Sequence, residues 1–270
     1  MTDNAKLTSD NNVKPVQRVF WTGGFDSTCR IAQLSRLDVI IQPYYLVDSK
    51  YRRSVPYELR AISEITHDIE KHPETRCEIK PLIKVDVSEL NPSKEINGAY
   101  KRIRQQIALG IQYEWLARFA LEYPGIELCL EKEEEGHIYT LFNKKGVINK
   151  ITDGEISYLV FDKTKTDKDL YTVFGNFRLP LPLRERTKLE LIEEYKRLGF
   201  ERTMHKTWFC HNPVDGEPCG VCNPCKIVIS DGLSFRLPPA AMKRHSKEMN
   251  FEGKVWFRLW RKLRWRIKGY

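Results

Sequence analysis

Through its first half the chain alternates short apolar runs with longer segments whose apolar residues recur every three to four positions. "RVFW" (18–21) is β-prone and runs straight into two glycines. "DSTCRIAQLSRL" (26–37) then places Cys29, Ile31, Ala32 and Leu34 at helical spacing. "VIIQPYYLVD" (39–48) predicts a second strand, and "YELRAISEITHDIEKH" (57–72) an amphipathic helix. "CEIKPLIKVDV" (77–87) predicts a third strand that Pro81 marks as an edge or a break. One long helical region follows over 96–123, stopped by Pro124 and Gly125, and "IELCLE" (126–131) predicts a fourth strand. Strands alternating with helices imply an α/β fold, a Rossmann-like parallel sheet covered on both faces.

From 132 to 176 the pattern changes to short β-prone pieces between turn signals, which predicts a β-hairpin insertion. "RTKLELIEEYKRLGF" (186–200) predicts a helix ending at Gly199. The polar first 16 residues, without an apolar stretch, predict a disordered leader rather than a signal peptide. No apolar run is long enough to span a bilayer, and a cytoplasmic location is the expectation.

Charge changes the picture only locally. The chain carries a formal net charge of +9, but residues 242–270 hold ten Lys/Arg against two Asp/Glu, so the body is nearly neutral. Nucleic acid as the main substrate would call for basic charge across the body, and it is not expected here. The stretch 231–270 reads as a basic, aromatic C-terminal tail. Trp256, Trp260, Leu263 and Ile267 share one helical face, suited to a membrane surface, a partner or the domain itself.

Two motifs carry chemistry. In "TGGFDST" the loop between first strand and first helix joins two glycines to Thr22, Asp26, Ser27 and Thr28. Such a loop can cradle phosphate against the free N–H groups of a helix start. It lacks the Gly-Lys-Ser/Thr of a Walker loop and the G-x-G-x-x-G of a dinucleotide site. The second motif, "CHNPVDGEPCGVCNPC", spaces Cys210, Cys219, Cys222 and Cys225 as C-x8-C-x2-C-x2-C. Four thiolates suit a tetrahedral structural Zn²⁺, with an iron–sulfur cluster as the rival. Cys29, Cys77 and Cys129, scattered among apolar neighbours, read as buried thiols.

The loop resembles the S-G-G-x-D-S pyrophosphate loop of the PP-loop (HUP-type) ATP pyrophosphatases, with Thr22 where the first serine usually stands. With "TWFCHNPVDGEPCGVCNPC" (207–225), "RTKLE" (186–190) and "YYLVDSKYRRS" (44–54), the chain resembles the 7-cyano-7-deazaguanine synthase (QueC) family over roughly 18–230. That resemblance implies a PP-loop domain over 17–230 with a four-cysteine zinc module at 207–226, and a homodimer. It implies ATP and Mg²⁺ as cofactors beside Zn²⁺. A small-molecule carboxylate, 7-carboxy-7-deazaguanine in the family, is adenylated and then amidated by an amine donor, ammonia, on the way to the nitrile. Thr22, Gly23, Gly24, Phe25, Asp26, Ser27, Thr28 and Asp48 would bind the nucleotide, with Arg53 near Asp48. Asp26, Ser27 and Lys188 would act in catalysis, with Arg184 or Arg186 in place of Lys188 as alternatives.

The chain departs from the family in its substrate half. "LCLEKEEEGH" (128–137) stands where a Gly-Val and a nearby Asp are usual, and Gln112 stands where an Asn is usual. Four alternatives therefore stay open: a relative acting on another carboxylate or amine acceptor, in a specialised pathway or in anti-phage defence; a sugar amidotransferase; a tRNA-modifying enzyme; and a silent zinc-stabilised binding module.

Overall fold

The computed structural model describes residues 14–48, 52–133 and 136–252. The parallel half of the sheet is built from β1 (Val16–Phe20), β2 (Ile40–Val47), β3 (Glu78–Ile79), β4 (Ile83–Asp86), β5 (Ile126–Glu127) and β8 (Phe177–Pro180). The hairpin β6 (Ile148–Asp153) and β7 (Ile156–Phe161) joins it antiparallel through β7 and β8. The order is β3-β2-β1-β5-β8-β7-β6, with β4 also on β2. Pro81 splits the third predicted strand into β3 and β4, both parallel to β2.

Alternation along the strands sorts side chains between two cores. Val19, Trp21, Ile41 and Tyr45 point toward α1 (Phe25–Leu34), α2 (Val55–Lys71) and α7 (Lys188–Arg197). Phe20, Tyr44, Leu46, Ile126 and Phe177 point toward α3 (Lys94–Arg104), α4 (Gln112–Glu122), α5 (His137–Lys145) and α6 (Lys168–Phe174) on the other face. The result is a three-layer α/β sandwich with a mostly parallel sheet, of Rossmann-like kind. Glu127 on β5 and Arg30 on α1 form a bidentate pair (2.6 and 2.7 Å) inside it, both almost fully buried. Arg30 also donates to the Leu181 carbonyl.

Three elements differ from the sequence expectation. The long helical region is two helices, α3 and α4, because the chain turns between Gln105 and Ile111. Leu109 is buried in that turn and accepts from Tyr100 Oη at 3.2 Å, so the apolar pattern runs on through a non-helical stretch. The 132–176 segment holds the expected hairpin but also α5 and α6. Ile138, Leu141 and Phe142 in α5 have helical spacing and pack on the sheet. The fourth strand ends at Glu127, since the chain leaves the sheet at the cleft described below.

The C-terminal module has its own small core, where Cys210, Cys219 and Cys225 pack with Val228, Leu233, Leu237 and Ala241. After the short helix α8 (Glu201–Met204), helix α9 (Asn223–Ser230) carries Cys225, and α10 (Pro239–Glu252) closes over the cysteine loop. Arg244 Nε donates to the Cys219 carbonyl at 2.8 Å, and Nη2 to that of Pro218 at 3.1 Å. Residues 233–245, assigned to the tail by sequence, thus belong to this module: Leu233, Leu237 and Ala241 pack in its core while Arg244 binds backbone carbonyls of the cysteine loop. Trp256, Trp260, Leu263 and Ile267 lie outside the described residues, as do residues 1–13 of the leader. The leader's end at 16 overlaps the start of β1. No helix among the described residues is long and apolar enough to cross a membrane.

Candidate functional site

The chain runs β1, β2, β3 toward one side of the sheet and then crosses to β5 on the far side of β1. That reversal leaves a crevice at the carboxyl ends of β1 and β5, the position where open α/β sheets bind ligands. A cleft of about 580 Å³ opens there. Its lining comes from the loop after β1 (Thr22, Gly24, Phe25, Asp26, Ser27), the end of β2 (Asp48, Arg52) and the stretch after β5. Gln112 and Trp115 add a wall from α4, and His211 and Asn212 one from the cysteine module.

Glycine at 23 is a steric requirement. Its φ is +67°, and a Cβ there would lie 2.9 Å from the Glu58 carbonyl oxygen. We expect Gly23→Ala to lower stability by about 2 kcal/mol and the melting temperature by roughly 4–8 °C, read by calorimetry. Gly24 caps α1 without a side-chain acceptor, so the cap residue itself places no side chain on the first-turn amides beside the cleft. The turn is held from behind: Trp208 N–H donates to the Gly23 carbonyl at 2.9 Å, and Tyr195 Oη to that of Phe25 at 2.6 Å. Arg236 lies over the Phe25 ring and donates to Thr207, tying the cysteine module to the loop.

Not every residue singled out by sequence faces the cleft. Thr28 is fully buried, and its hydroxyl accepts from Trp21 Nε1 at 3.0 Å, so its side chain offers nothing to a ligand. Gly23 shapes the loop without lining the cleft. At the β2 end Arg52, not the exposed Arg53, reaches it. Arg52 is oriented by Glu58, whose Oε1 accepts from Arg52 Nη2 at 2.9 Å and Ser54 Oγ at 2.8 Å while Tyr45 Oη donates to its Oε2. Arg184 stacks over Tyr139 and Arg186 pairs with Glu194 at 2.6 Å; neither lines the cleft.

Lys188, at the first position of α7, sits behind Asp26. A capping box of Thr187 and Glu190 fixes that helix start. Its Nζ lies 2.9 Å from Asp26 Oδ1 and 2.6 Å from Glu131 Oε1. Burial works against the lysine's charge, but Asp26 and Glu131 outweigh it and hold its pKa above the ordinary value. Burial, then the nearby Asp26, push the Glu131 carboxyl up against the pull of Lys188. Glu131 is the residue that sequence reading missed. Its only signal is its place four residues past the end of a central strand, at the mouth of the sheet.

The four cysteine sulfurs lie within 4.8 Å of one another, with separations of 3.5 Å (Cys222–Cys225), 3.8 Å (Cys210–Cys222) and 3.9 Å (Cys219–Cys225). Four sulfurs about 2.3 Å from one tetrahedral ion would stand about 3.8 Å apart. The amides of Val221 and Cys222 donate to Cys219 Sγ, and that of Cys219 to Cys210 Sγ, as a thiolate requires. The set is compatible with one zinc ion; a cluster of several irons would need wider spacing. Gly220 (φ +82°) makes the turn between ligands, and no side chain would fit there against the Ala241 carbonyl.

Fold and site together define an α/β protein with a mostly parallel, Rossmann-like sheet, a glycine loop at its crevice and a four-cysteine cluster fit for zinc. No family model matches the chain, and no curated protein matches it.

Proposed function

We propose that the chain is an ATP-dependent carbon–nitrogen ligase of the PP-loop class, akin to the 7-cyano-7-deazaguanine synthases. The observation that carries this reading is the T-G-G-F-D-S loop at the crevice of a parallel sheet, with a four-cysteine module hydrogen-bonded to the loop's own backbone. Thr22, Ser27 and the amides at the start of α1 would hold the leaving pyrophosphate. Asp26 and Asp48 line the same cleft and would hold Mg²⁺, which binds through one or two carboxylates together with phosphate oxygens. Bound there, the ion would neutralise charge building on the phosphates.

A carboxylate oxygen attacks the α-phosphorus, the α–β bond breaks and pyrophosphate departs. An amine, ammonia in the simplest case, then attacks the acyl carbon, AMP leaves with the bonding pair, and the amine's proton passes to solvent. A second round on the amide oxygen would give the nitrile. Arg52, held by Glu58 at the cleft, offers a cation to the carboxylate or the α-phosphate. Lys188 supplies positive potential from behind Asp26.

The substrate half favours a second reading, in which a related enzyme activates another carboxylate or uses another amine. Leu128, Cys129, Leu130, Gln112 and Trp115 line that part of the cleft, and they are where the chain departs from the family pattern. The test is incubation with ATP, Mg²⁺, ammonium and 7-carboxy-7-deazaguanine, followed by measurement of AMP and pyrophosphate and mass spectrometry of the product. Carboxylate-dependent AMP with an amide or nitrile product is the expected result. AMP formation only with a different carboxylate supports the second reading. Absence of turnover with any carboxylate leaves a zinc-stabilised binding module.

A further inference from the structure

Lys188 serves two carboxylates, and only one of them faces the cleft. Asp26 lines it, while Glu131 and Lys188 lie behind. Glu131 Oε1 takes Lys188, and its other oxygen, Oε2, is buried without a hydrogen-bond partner. Holding a carboxyl this way is costly, the more so with Asp26 and Asp231 adding negative potential nearby. The start of α7 is already capped by Thr187 and Glu190, so the helix does not need it. The contact with Lys188 is what the group supplies.

The need for that contact follows from what Asp26 must do, an argument that rests on the magnesium–ATP reading above. Asp26 holds Lys188 through Oδ1, and a cation in the cleft would draw on the same carboxylate charge, so binding it weakens the bond to the lysine. A mostly buried ammonium left with no counter-charge is strongly disfavoured, which would keep Asp26 on the lysine. The repulsion between Asp26 and Glu131 across the lysine also eases as a cation draws on Asp26.

We infer that Glu131 is a positioning residue: it keeps Lys188 anchored and paired behind the loop, so that Asp26 is free to engage the cation of a metal–nucleoside triphosphate. It touches neither nucleotide nor carboxylate, and it acts through the lysine alone.

The test is ATP binding by calorimetry in the absence of any carboxylate, titrated over Mg²⁺ concentration, in the full-length zinc-loaded protein. Glu131→Gln keeps the shape and removes the charge. The Mg²⁺ needed for half-maximal ATP binding should rise about tenfold, with zinc content and melting temperature unchanged. Glu131→Asp should recover part of the loss. In a Lys188→Met background Glu131→Gln should add nothing, because the residue through which it acts is gone. Wild-type Mg²⁺ dependence in Glu131→Gln, or a full additional loss in the Lys188→Met background, would overturn the inference alone. A wild-type protein that binds no Mg²⁺–ATP would overturn the functional reading and this inference with it.

Discussion

Replacing Cys225 with serine is expected to strip the protein of metal and unfold its C-terminal module. Cys225 Sγ is fully buried and sits 3.5 Å from Cys222 Sγ and 3.9 Å from Cys219 Sγ. The module's apolar core is small: beyond the cysteines it rests chiefly on Val228, Leu233, Leu237 and Ala241. A structural Zn²⁺ site contributes on the order of 10 kcal/mol of folding free energy, comparable to the whole stability of a domain, and that small core cannot replace it. The damage should spread to the cleft, because Trp208 N–H holds the Gly23 carbonyl and His211 and Asn212 form one wall. Metal analysis of the native protein should show stoichiometric zinc in the wild type and little in the variant. Proteolysis should cut the variant first within 207–252. Iron in place of zinc, or a variant with unchanged metal content and melting temperature, would remove the zinc assignment.

Asp26→Ala is expected to lower AMP formation by about a thousandfold, equivalent to roughly 4 kcal/mol of transition-state stabilisation. Asp26 is the acid in the first turn of α1, it lines the cleft, and its carboxylate is held 2.9 Å from Lys188 Nζ. Its loss removes a candidate magnesium ligand and leaves Lys188 paired with Glu131 alone. Asp26→Asn separates charge from shape, since the amide keeps the size but binds neither cation nor lysine as an anion does. Its activity should fall nearly as far, with zinc and melting temperature retained. Substantial AMP formation by Asp26→Ala would mean that the loop does not carry the chemistry proposed for it.

Local signals predicted the elements well where a segment decides its own conformation. The helices α1, α2 and α7 follow apolar spacing, and Thr187 with Glu190 marks the start of α7 in sequence and in structure. The break at Pro81 and the four-cysteine cluster were legible for the same reason, because a ring and a two-residue gap act over a few bonds. The turn between α3 and α4 was not, since buried Leu109 continues the helical rhythm through a loop. Residues 233–245 read as tail because the partners of Leu233, Leu237, Ala241 and Arg244 lie outside the segment, in the cysteine loop and α9.

The site divides along the same line. The glycine loop and the cysteines are short motifs whose chemistry follows from residue type and spacing, and they stand in the sequence as they stand in the structure. Which of their neighbours face a ligand depends on which strands lie side by side. Thr28 turns inward to Trp21, Arg52 rather than Arg53 enters the cleft, and Lys188 meets Asp26 across 162 residues of chain. Glu131 joins them only because β5 packs beside β1 and the chain then leaves the sheet at its carboxyl edge. Sequence alone determined the local conformations and the two motifs, which depend on interactions over a few residues. Tertiary packing decided which charges share the crevice, because strand order and burial bring together groups that no local spacing connects.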